Sequence, residues 1–435
     1  MATKFVAGLA LTALLAQPAM AATEITFWHA MGGRLGEVVN EISANFNEAQ
    51  GDVKLTPVFK GSYEETLTAG IAAFRAGEQP DILQVFDAGA ATIIAAEGAV
   101  VPVENLLKDN GVDFNIEDYI SGVRYFYADT DDKMIGMPFN SSAPILYYNE
   151  EALEKAGVEA PTTWEEFEEV APALKEAGYI PLVQSHLPWE FTENFHSRHN
   201  IQFASNANGY EGIEGTEILV NNEHQKMMFS KLVEWQDQGF FEFFGAAWAD
   251  NQTPFEEGKV AFWIGSSGSF GGLQQTATIP FGAVPLPFWA SVVDDQPQGY
   301  QSFIGGAALF AMSGKSADEQ AAVATFFEYL TSPEVQYLWH RETGYVPITT
   351  AAYDLAAKDG YYETTPAAEV GIQQLTLPAG EWTKGYRMGF YVQIRDVMNR
   401  EYGKILSGEV SVDEGFATIE EEGNQLLERF AKTAS

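Results

Sequence analysis

The chain has 435 residues, no cysteine, and 61 acidic against 24 basic side chains, for a formal net charge of −37. No disulfide can form, so stability has to come from apolar cores, which a chain of this length builds over two or more domains. A field of that sign repels nucleic acid and anionic lipid faces, so neither is expected as a partner.

Residues 1–22 combine Lys4, an apolar run from Phe5 to Leu15, the helix breaker Pro18 and the small-residue stretch Ala19-Met20-Ala21. These are the three parts of a secretory signal, with cleavage expected after Ala21 or Ala22. The apolar run is too short to span a bilayer. With no cysteine after it, lipid anchoring is not expected, and the mature protein is expected free in the periplasm. No later stretch of 18 residues is both apolar and uncharged.

From Glu24 to His29 the pattern predicts a strand. A helix follows in which Leu35, Val38, Val39, Ile42 and Phe46 recur at spacings of three and four and so share one face. Val53 to Phe59 reads as a second strand, Tyr63 to Phe74 as a helix, and Ile82 to Phe86 as a short apolar strand after the turn Gln79-Pro80-Asp81. Strand, helix, strand, helix, strand over about 65 residues argues for parallel βαβ units with both sheet faces covered.

In the middle of the chain, Pro144 to Tyr148 is a predicted strand and Glu150 to Ala156 a helix. Thr162 and Thr163 each stand three residues before a Glu, so either can close a capping box. Phe229 to Gln238 is helical, and Val260 to Ile264 a strand ending at Gly265-Ser266-Ser267-Gly268-Ser269, where backbone amides can face outward. Boundaries are expected near Phe139 to Ser142 and near Tyr300 to Ser302. Ile304 to Phe310 is then a strand, Ala317 to Leu330 a helix, and the last helix runs from Phe416 to Phe430 after a break at Ser407-Gly408. The elements fit two α/β lobes joined by more than one connection.

Few residues carry chemistry of a recognisable kind. Gly32-Gly33-x-x-Gly36 follows a strand and opens a helix, but the next strand ends in Phe59-Lys60, with no acid to hold a ribose, so no dinucleotide cofactor is expected. Glu193, His196 and His199 are spaced three apart, yet Arg198 interrupts them and no second cluster completes a metal site. Solvated or surface-bonded histidines, with no metal, are the expectation. Ser266 lacks the glycine spacing of a nucleophile elbow, and no catalytic residue is assigned.

More informative are the aromatic and small polar residues at or beside turns: Tyr63, Ser141, Ser142, Trp189, Ser266, Tyr300 and Tyr345. A tyrosine there offers apolar area together with a hydroxyl for a polyol or phosphate. Lys384, Arg387 and Arg395 gather three bases in twelve residues of an acidic chain. A guanidinium fork matches phosphate oxygens, whereas salt bridging to neighbouring acids is the plainer alternative.

Several longer stretches carry a resemblance that covers essentially the whole mature chain. They include Phe27-Trp28-His29, Lys60-Gly61-Ser62-Tyr63-Glu64, Pro138-Phe139-Asn140-Ser141-Ser142, Leu146-Tyr147-Tyr148-Asn149, Gly344-Tyr345-Val346-Pro347-Ile348-Thr349, Gln393-Ile394-Arg395 and Gly423-Asn424-Gln425-Leu426-Leu427. In these the chain resembles the periplasmic glycerol-3-phosphate-binding proteins of ABC importers, within the extracellular solute-binding family that includes the maltose-binding protein. The resemblance implies an α/β, two-lobed periplasmic binding protein fold with an interlobe cleft and multiple chain crossovers. It implies a first lobe of 23–140 plus about 302–345 and a second of 141–301 plus about 346–435.

By the same resemblance the protein binds without catalysis. It captures sn-glycerol-3-phosphate or glycerophosphodiesters such as glycerophosphocholine and passes them to the permease subunits at the inner membrane, with no cofactor. Tyr63, Asp87, Ser142, Ser266, Gly306, Tyr345 and Arg395 are implied as ligand contacts, with Arg395, Tyr63, Tyr345 and the serines on phosphate oxygens and Asp87 accepting from glycerol hydroxyls. His186, Trp189 and Tyr300 complete the expected site.

Two departures stand out. Asp87 is one methylene shorter than the Glu of the more familiar members. His186 stands where a well-known member has Trp, which opens the cleft towards a diester head group unless Trp189 or His186 itself fills the space. A neutral oligosaccharide is the alternative ligand, favoured if Arg395 is tied to an acid, and a secreted phosphodiesterase is the rival outside the binding proteins. An Arg395 locked to a carboxylate away from the interlobe gap would remove the phosphate assignment.

Overall fold

In the first strand, β1 (Thr23–His29), Ile25, Phe27 and His29 alternate inward while Glu24 faces water, the period-2 pattern of a strand packed against a core. The computed structural model describes residues 21–434 apart from 97, 130, 246 and 294, so nearly all of the expected leader lies outside the described residues. Strands β2 (Val53–Phe59) and β3 (Ile82–Phe86) follow as expected, each after a helix, and both pair with β1 in parallel. The intervening helices, Gly33–Ala49 and Tyr63–Ala76, bury Val38, Val39, Ile42 and Phe46 from the first and Leu67 from the second.

Strands β4 (Val100–Val101) and β5 (Met137–Pro138) are short pieces, both paired with a late strand introduced below. A second sheet is built from β6 (Pro144–Asn149), β7 (Ile180–Gln184), β8 (Val260–Ser266) and β9 (Phe281–Pro285), in the order β7-β8-β6-β9, with only β7 and β8 parallel. The chain then returns to the first sheet with β10 (Ala307–Met312), giving the order β2-β1-β3-β10-β4 with β5 also on β10. Because β10 runs antiparallel to β3, the first sheet is mixed and not uniformly parallel. The late strand starts at Ala307, three residues after the expected start, because Gly306 is held at φ +96 and Gly305 is bridged to Ser142.

Where the chain passes between the sheets it does so on adjacent paths. Ser142 N–H donates to the Gly305 carbonyl at 3.1 Å and Gly305 N–H to the Ser142 carbonyl at 2.9 Å, so the outgoing and returning segments form a short antiparallel bridge. A further passage lies beside them, with Val346 N–H donating to the Ser141 carbonyl at 2.9 Å. Helix Ala317–Leu330 begins with a Ser316/Glu319 capping box and packs on β1. The last two helices, Tyr391–Leu406 and Val412–Ala434, pack on each other and on Glu223–Asp237. At Thr162-Thr163 it is Thr163 that caps helix Trp164–Glu176, while Thr162 donates its N–H and hydroxyl to the same Glu166.

In place of disulfides, large apolar side chains are withdrawn completely, among them Trp235, Trp263 and Trp339. Each such side chain contributes on the order of 1.5–3 kcal/mol. Among the described residues no helix is long and apolar enough to cross a membrane.

Candidate functional site

The site begins with a relay through the first sheet. Ala30 N–H donates to Gln84 Oε1 at 2.7 Å, Gln84 Nε2 to Asn140 Oδ1 at 2.8 Å, and Asn140 Nδ2 to the Tyr63 hydroxyl oxygen at 2.7 Å. Tyr63 therefore accepts from Asn140 through its hydroxyl oxygen. Its ring is fixed by stacking on Phe86 at 5.2 Å, and its backbone by position, as the first residue of a helix capped by the Ser62/Glu65 box. Tyr345 lies beside Tyr63. A column of rings supports it, with Tyr345 on Trp339 at 5.7 Å and Trp339 on Phe139 at 4.7 Å. His340 settles the Tyr345 backbone: its Nδ1–H donates to the Tyr345 carbonyl at 2.7 Å while Nε2 accepts from the Tyr362 hydroxyl.

Asp87 opens the helix Asp87–Ile94 directly after β3, with its N–H on the Gly306 carbonyl at 2.9 Å. Glycine is required at 306, since φ is +96 and a Cβ there would fall 1.8 Å from the Asn140 carbonyl oxygen. At the neighbouring Gly305 a Cβ would meet the Trp189 ring at 2.4 Å. Trp189 thus packs on the crossover, and its indole N–H is buried with no partner among the described residues. Ser142 is on the facing strand of that crossover. Ser266 closes β8 and caps a short 3-10 turn by accepting from Gly268 N–H at 3.0 Å, and Gly268 in turn lies against the Tyr345 ring.

Arg395, on helix Tyr391–Leu406, occupies the middle. Its guanidinium is not free. Nε donates to Glu193 Oε1 at 2.7 Å and Nη2 to Glu193 Oε2 at 2.7 Å, while Nη1 and Nη2 also face Asp87, the former at 3.5 Å. Glu193 is fully buried and additionally accepts from the hydroxyls of Tyr386 at 3.0 Å and Tyr391 at 2.9 Å. Burial by itself would depress the Arg395 pKa, but Asp87 and Glu193 outweigh it and hold it well above its ordinary value. Burial raises the Glu193 pKa, with Arg395 opposing.

His186 stands close enough for Arg395 to act on it. Burial and that charge bring its pKa down to about 3, so the ring is neutral. Its Nδ1 accepts from Trp189 N–H at 3.3 Å, which leaves the proton on Nε2 as a donor. Glu190 holds this loop by accepting from the N–H groups of Ser185 and His186, both at 3.1 Å, and burial raises its pKa to about 8. Trp189, Glu190 and Glu193 all lie in one π-helical turn, Pro188–Glu193, a form that recurs at functional sites.

Of the residues expected from sequence, Tyr63, Asp87, Ser142, His186, Trp189, Ser266, Gly306, Tyr345 and Arg395 are linked by these contacts. Tyr300 is not among them. Its hydroxyl donates to the Asp295 carboxylate at 3.0 Å and its ring packs with Phe288 and Val293 in a separate small cluster, because the turn that carries it folds back on itself. The other two bases of the late cluster are also committed: Arg387 caps the Ala128 and Tyr125 carbonyls, and Lys384 pairs with Asp132.

The histidines are not at the surface. His196 and His199 are buried and bonded, with His199 Nε2 accepting from Trp289 N–H at 2.8 Å and His196 Nε2 facing Asn222, and Glu193 is engaged by Arg395. No group of three metal-binding side chains is found among the described residues.

Sequence reasoning missed Asn140, Glu193 as a partner of Arg395, Tyr386, Tyr391 and Tyr127. The Tyr127 hydroxyl is fully buried without a partner among the described residues and feels the charges of Asp87, Arg387 and Arg395. Pairing of this kind leaves no local signal in the chain.

Residues 41–369 match the bacterial extracellular solute-binding protein family. The chain is 37% identical over 433 residues to the sn-glycerol-3-phosphate-binding periplasmic protein UgpB of Salmonella paratyphi A, covering 98% of each chain. It is also 37% identical over 435 residues to the UgpB of Agrobacterium fabrum, again covering 98% of each. Among solved structures it is similar to UgpB from Mycobacterium tuberculosis in complex with glycerophosphocholine, with a TM-score of 0.79 at 21% identity over 94% of this chain and 99% of that one. It is similar too to the maltose-bound MalE3 of T. maritima, with a TM-score of 0.73 at 19% identity over 93% and 100%. These likenesses agree with the two mixed sheets and their repeated crossovers, and the chain belongs to the bacterial extracellular solute-binding protein family.

Proposed function

We propose that this protein is the periplasmic substrate-binding component of an ABC importer, capturing glycerophosphodiesters or sn-glycerol-3-phosphate and presenting them to the permease subunits. The relatives that share 37% identity over nearly their whole length are named for glycerol-3-phosphate, and the similar fold from Mycobacterium tuberculosis holds glycerophosphocholine. Nothing is made or broken in this work. Ligand contacts from both lobes stabilise the closed shape by their differential affinity, and the permease reads that shape. We place the lobes at 23–140 plus about 302–345 and at 141–301 plus about 346–435. Ser141, Ser142, Gly305 and Val346 are bonded side by side at their junctions.

The observation that carries the ligand class is Arg395, buried between Asp87 of the helix after β3 and Glu193 of the turn after β7, with Tyr386 and Tyr391 bonded into the same cluster and His186 within reach of its charge. Its charge also argues for a diester over a monoester. Asp87 and Glu193 bring two negative charges against one positive, so a phosphate dianion enters a site already negative. A zwitterionic diester adds no net charge and offers its cation to the tyrosine and tryptophan faces.

The tie to two acids also favours a second reading, a neutral saccharide laid on the same rings. The phosphate reading keeps precedence because the relatives at 37% identity are named for glycerol-3-phosphate and because Asp87 has no other side-chain partner among the described residues, so a ligand can displace it. A thermal-shift panel of glycerophosphocholine, sn-glycerol-3-phosphate and maltose separates the two. Stabilisation by the phosphate esters is expected, and stabilisation by maltose alone would refute the phosphate reading.

A further inference from the structure

The two carboxylates on Arg395 are not equivalent. Glu193 is fully buried and saturated, receiving Arg395 Nε and Nη2 together with the hydroxyls of Tyr386 and Tyr391, and it sits in the π-helical turn that follows β7 of the second sheet. Asp87 reaches the guanidinium from the helix that follows β3 of the first sheet. Among the described residues Arg395 is the only side chain bonded to its carboxylate. Glu193 is therefore the fixed partner, which orients the fork, and Asp87 the exchangeable one, which occupies the outer face of the fork where an incoming anion would have to sit.

We infer that Asp87 is an internal competitor for the ligand's anionic group and thereby sets specificity by an exchange of partners. An anion can take Arg395 only by releasing Asp87, and a carboxylate only 6% exposed must then find new donors. A carboxylate accepts and cannot donate, so the entering molecule has to bring hydroxyl groups of its own. The methyl phosphate dianion fails this requirement. It has no O–H to donate and would leave Asp87 buried and unpaired beside a second negative charge, whereas a phosphate ester of a polyol satisfies Arg395 with one end and Asp87 with the other. The inference rests on the phosphate-ester reading above and adds to it a reason why an ester without hydroxyl groups is refused.

The test is calorimetric titration of the whole protein and of Asp87→Asn with methyl phosphate, inorganic phosphate and sn-glycerol-3-phosphate. For the wild type, glycerol phosphate is expected to bind at least about tenfold more tightly than methyl phosphate, since a site built around hydroxyl contacts rejects analogues that lack them. In Asp87→Asn the competing charge is gone, so methyl phosphate and inorganic phosphate should gain at least about tenfold while the advantage of glycerol phosphate shrinks. No gain for methyl phosphate in the variant, or an intact glycerol preference, would overturn the exchange. Asp87→Ala provides the same comparison if the asparagine variant does not fold, and a wild type that binds methyl phosphate as tightly as glycerol phosphate overturns it without any variant. A wild type that binds glycerol phosphate while Asp87→Asn shows no gain defeats the exchange alone; a wild type that binds only maltose defeats the phosphate-ester reading and the exchange together.

Discussion

Arg395 shows how far one residue can carry both folding and recognition. Its partners Glu193 and Asp87 lie 202 and 308 positions away in the chain, so no spacing rule could join them. Replacing Arg395 with Ala leaves both acids in a buried site without their cation. Removing one partner of such a network costs about 3–5 kcal/mol, so a large drop in the urea midpoint is expected, and an unchanged midpoint would mean the ion pairs are not formed in solution. His186 makes a separate claim. On the proposed site a larger indole in place of its neutral ring would crowd a head group, so His186→Trp should weaken glycerophosphocholine binding more than sn-glycerol-3-phosphate binding. Equal effects on the two would show that position 186 does not face the head group.

Among the elements, the ones that carry site residues are those whose local chemistry is plain in the sequence. The Ser62/Glu65 and Thr163/Glu166 boxes are legible at once, and the first places Tyr63 at the head of its helix. The β1 to β3 unit follows from alternation and helical spacing alone. Less legible was β10, because its antiparallel pairing to β3 depends on a return crossover that no local pattern encodes. The turn-end rule that gathered Tyr63 and Tyr345 also gathered Tyr300, whose hydroxyl is taken by Asp295 five residues earlier. Periodicity cannot see a hydrogen-bond partner.

The crossover itself depends on close approach. Gly306→Ala would drive a Cβ to 1.8 Å from the Asn140 carbonyl oxygen at a φ of +96, whereas Gly33→Ala, at φ +52, meets nothing within 4 Å. Backbone strain alone costs roughly 1–2 kcal/mol. The loss of thermal stability at Gly306 is therefore expected to exceed that at Gly33 clearly, and equal losses would mean the crossover packs more loosely than described.

For the whole molecule, buried imidazoles tie stability to pH. Burial lowers the pKa of His29, His196 and His340 to about 4 and of His186 and His199 to about 3. Unfolded imidazoles titrate near 6.5, so between these values the unfolded chain binds more protons and stability rises with pH. That contribution is complete above about 6.5 and is lost as the pH falls towards 4 and 3. Glu190 acts in the opposite sense: with its folded pKa raised to about 8, its contribution is full below about 4.5 and lost as the pH rises through 8. Burial raises the Glu193 and Asp396 pKa values in the same sense as Glu190, but the five imidazoles outnumber these three carboxyls and make the urea midpoint lower at pH 5 than at pH 7; a midpoint equal or higher at pH 5 would contradict the burial of these histidines.

Two lobes, paired crossovers and a cluster of aromatic rings were all within reach of the sequence, since they follow from element order and from residues at strand ends. What the sequence could not show was that the central guanidinium is already occupied. The most direct check on phosphate-ester capture is therefore calorimetric titration of glycerophosphocholine into the wild type and into Arg395→Ala. The account predicts saturable binding to the wild type, weakened in the variant by at least about 2 kcal/mol, a loss of roughly thirtyfold in affinity. The same dissociation constant for both proteins would contradict it.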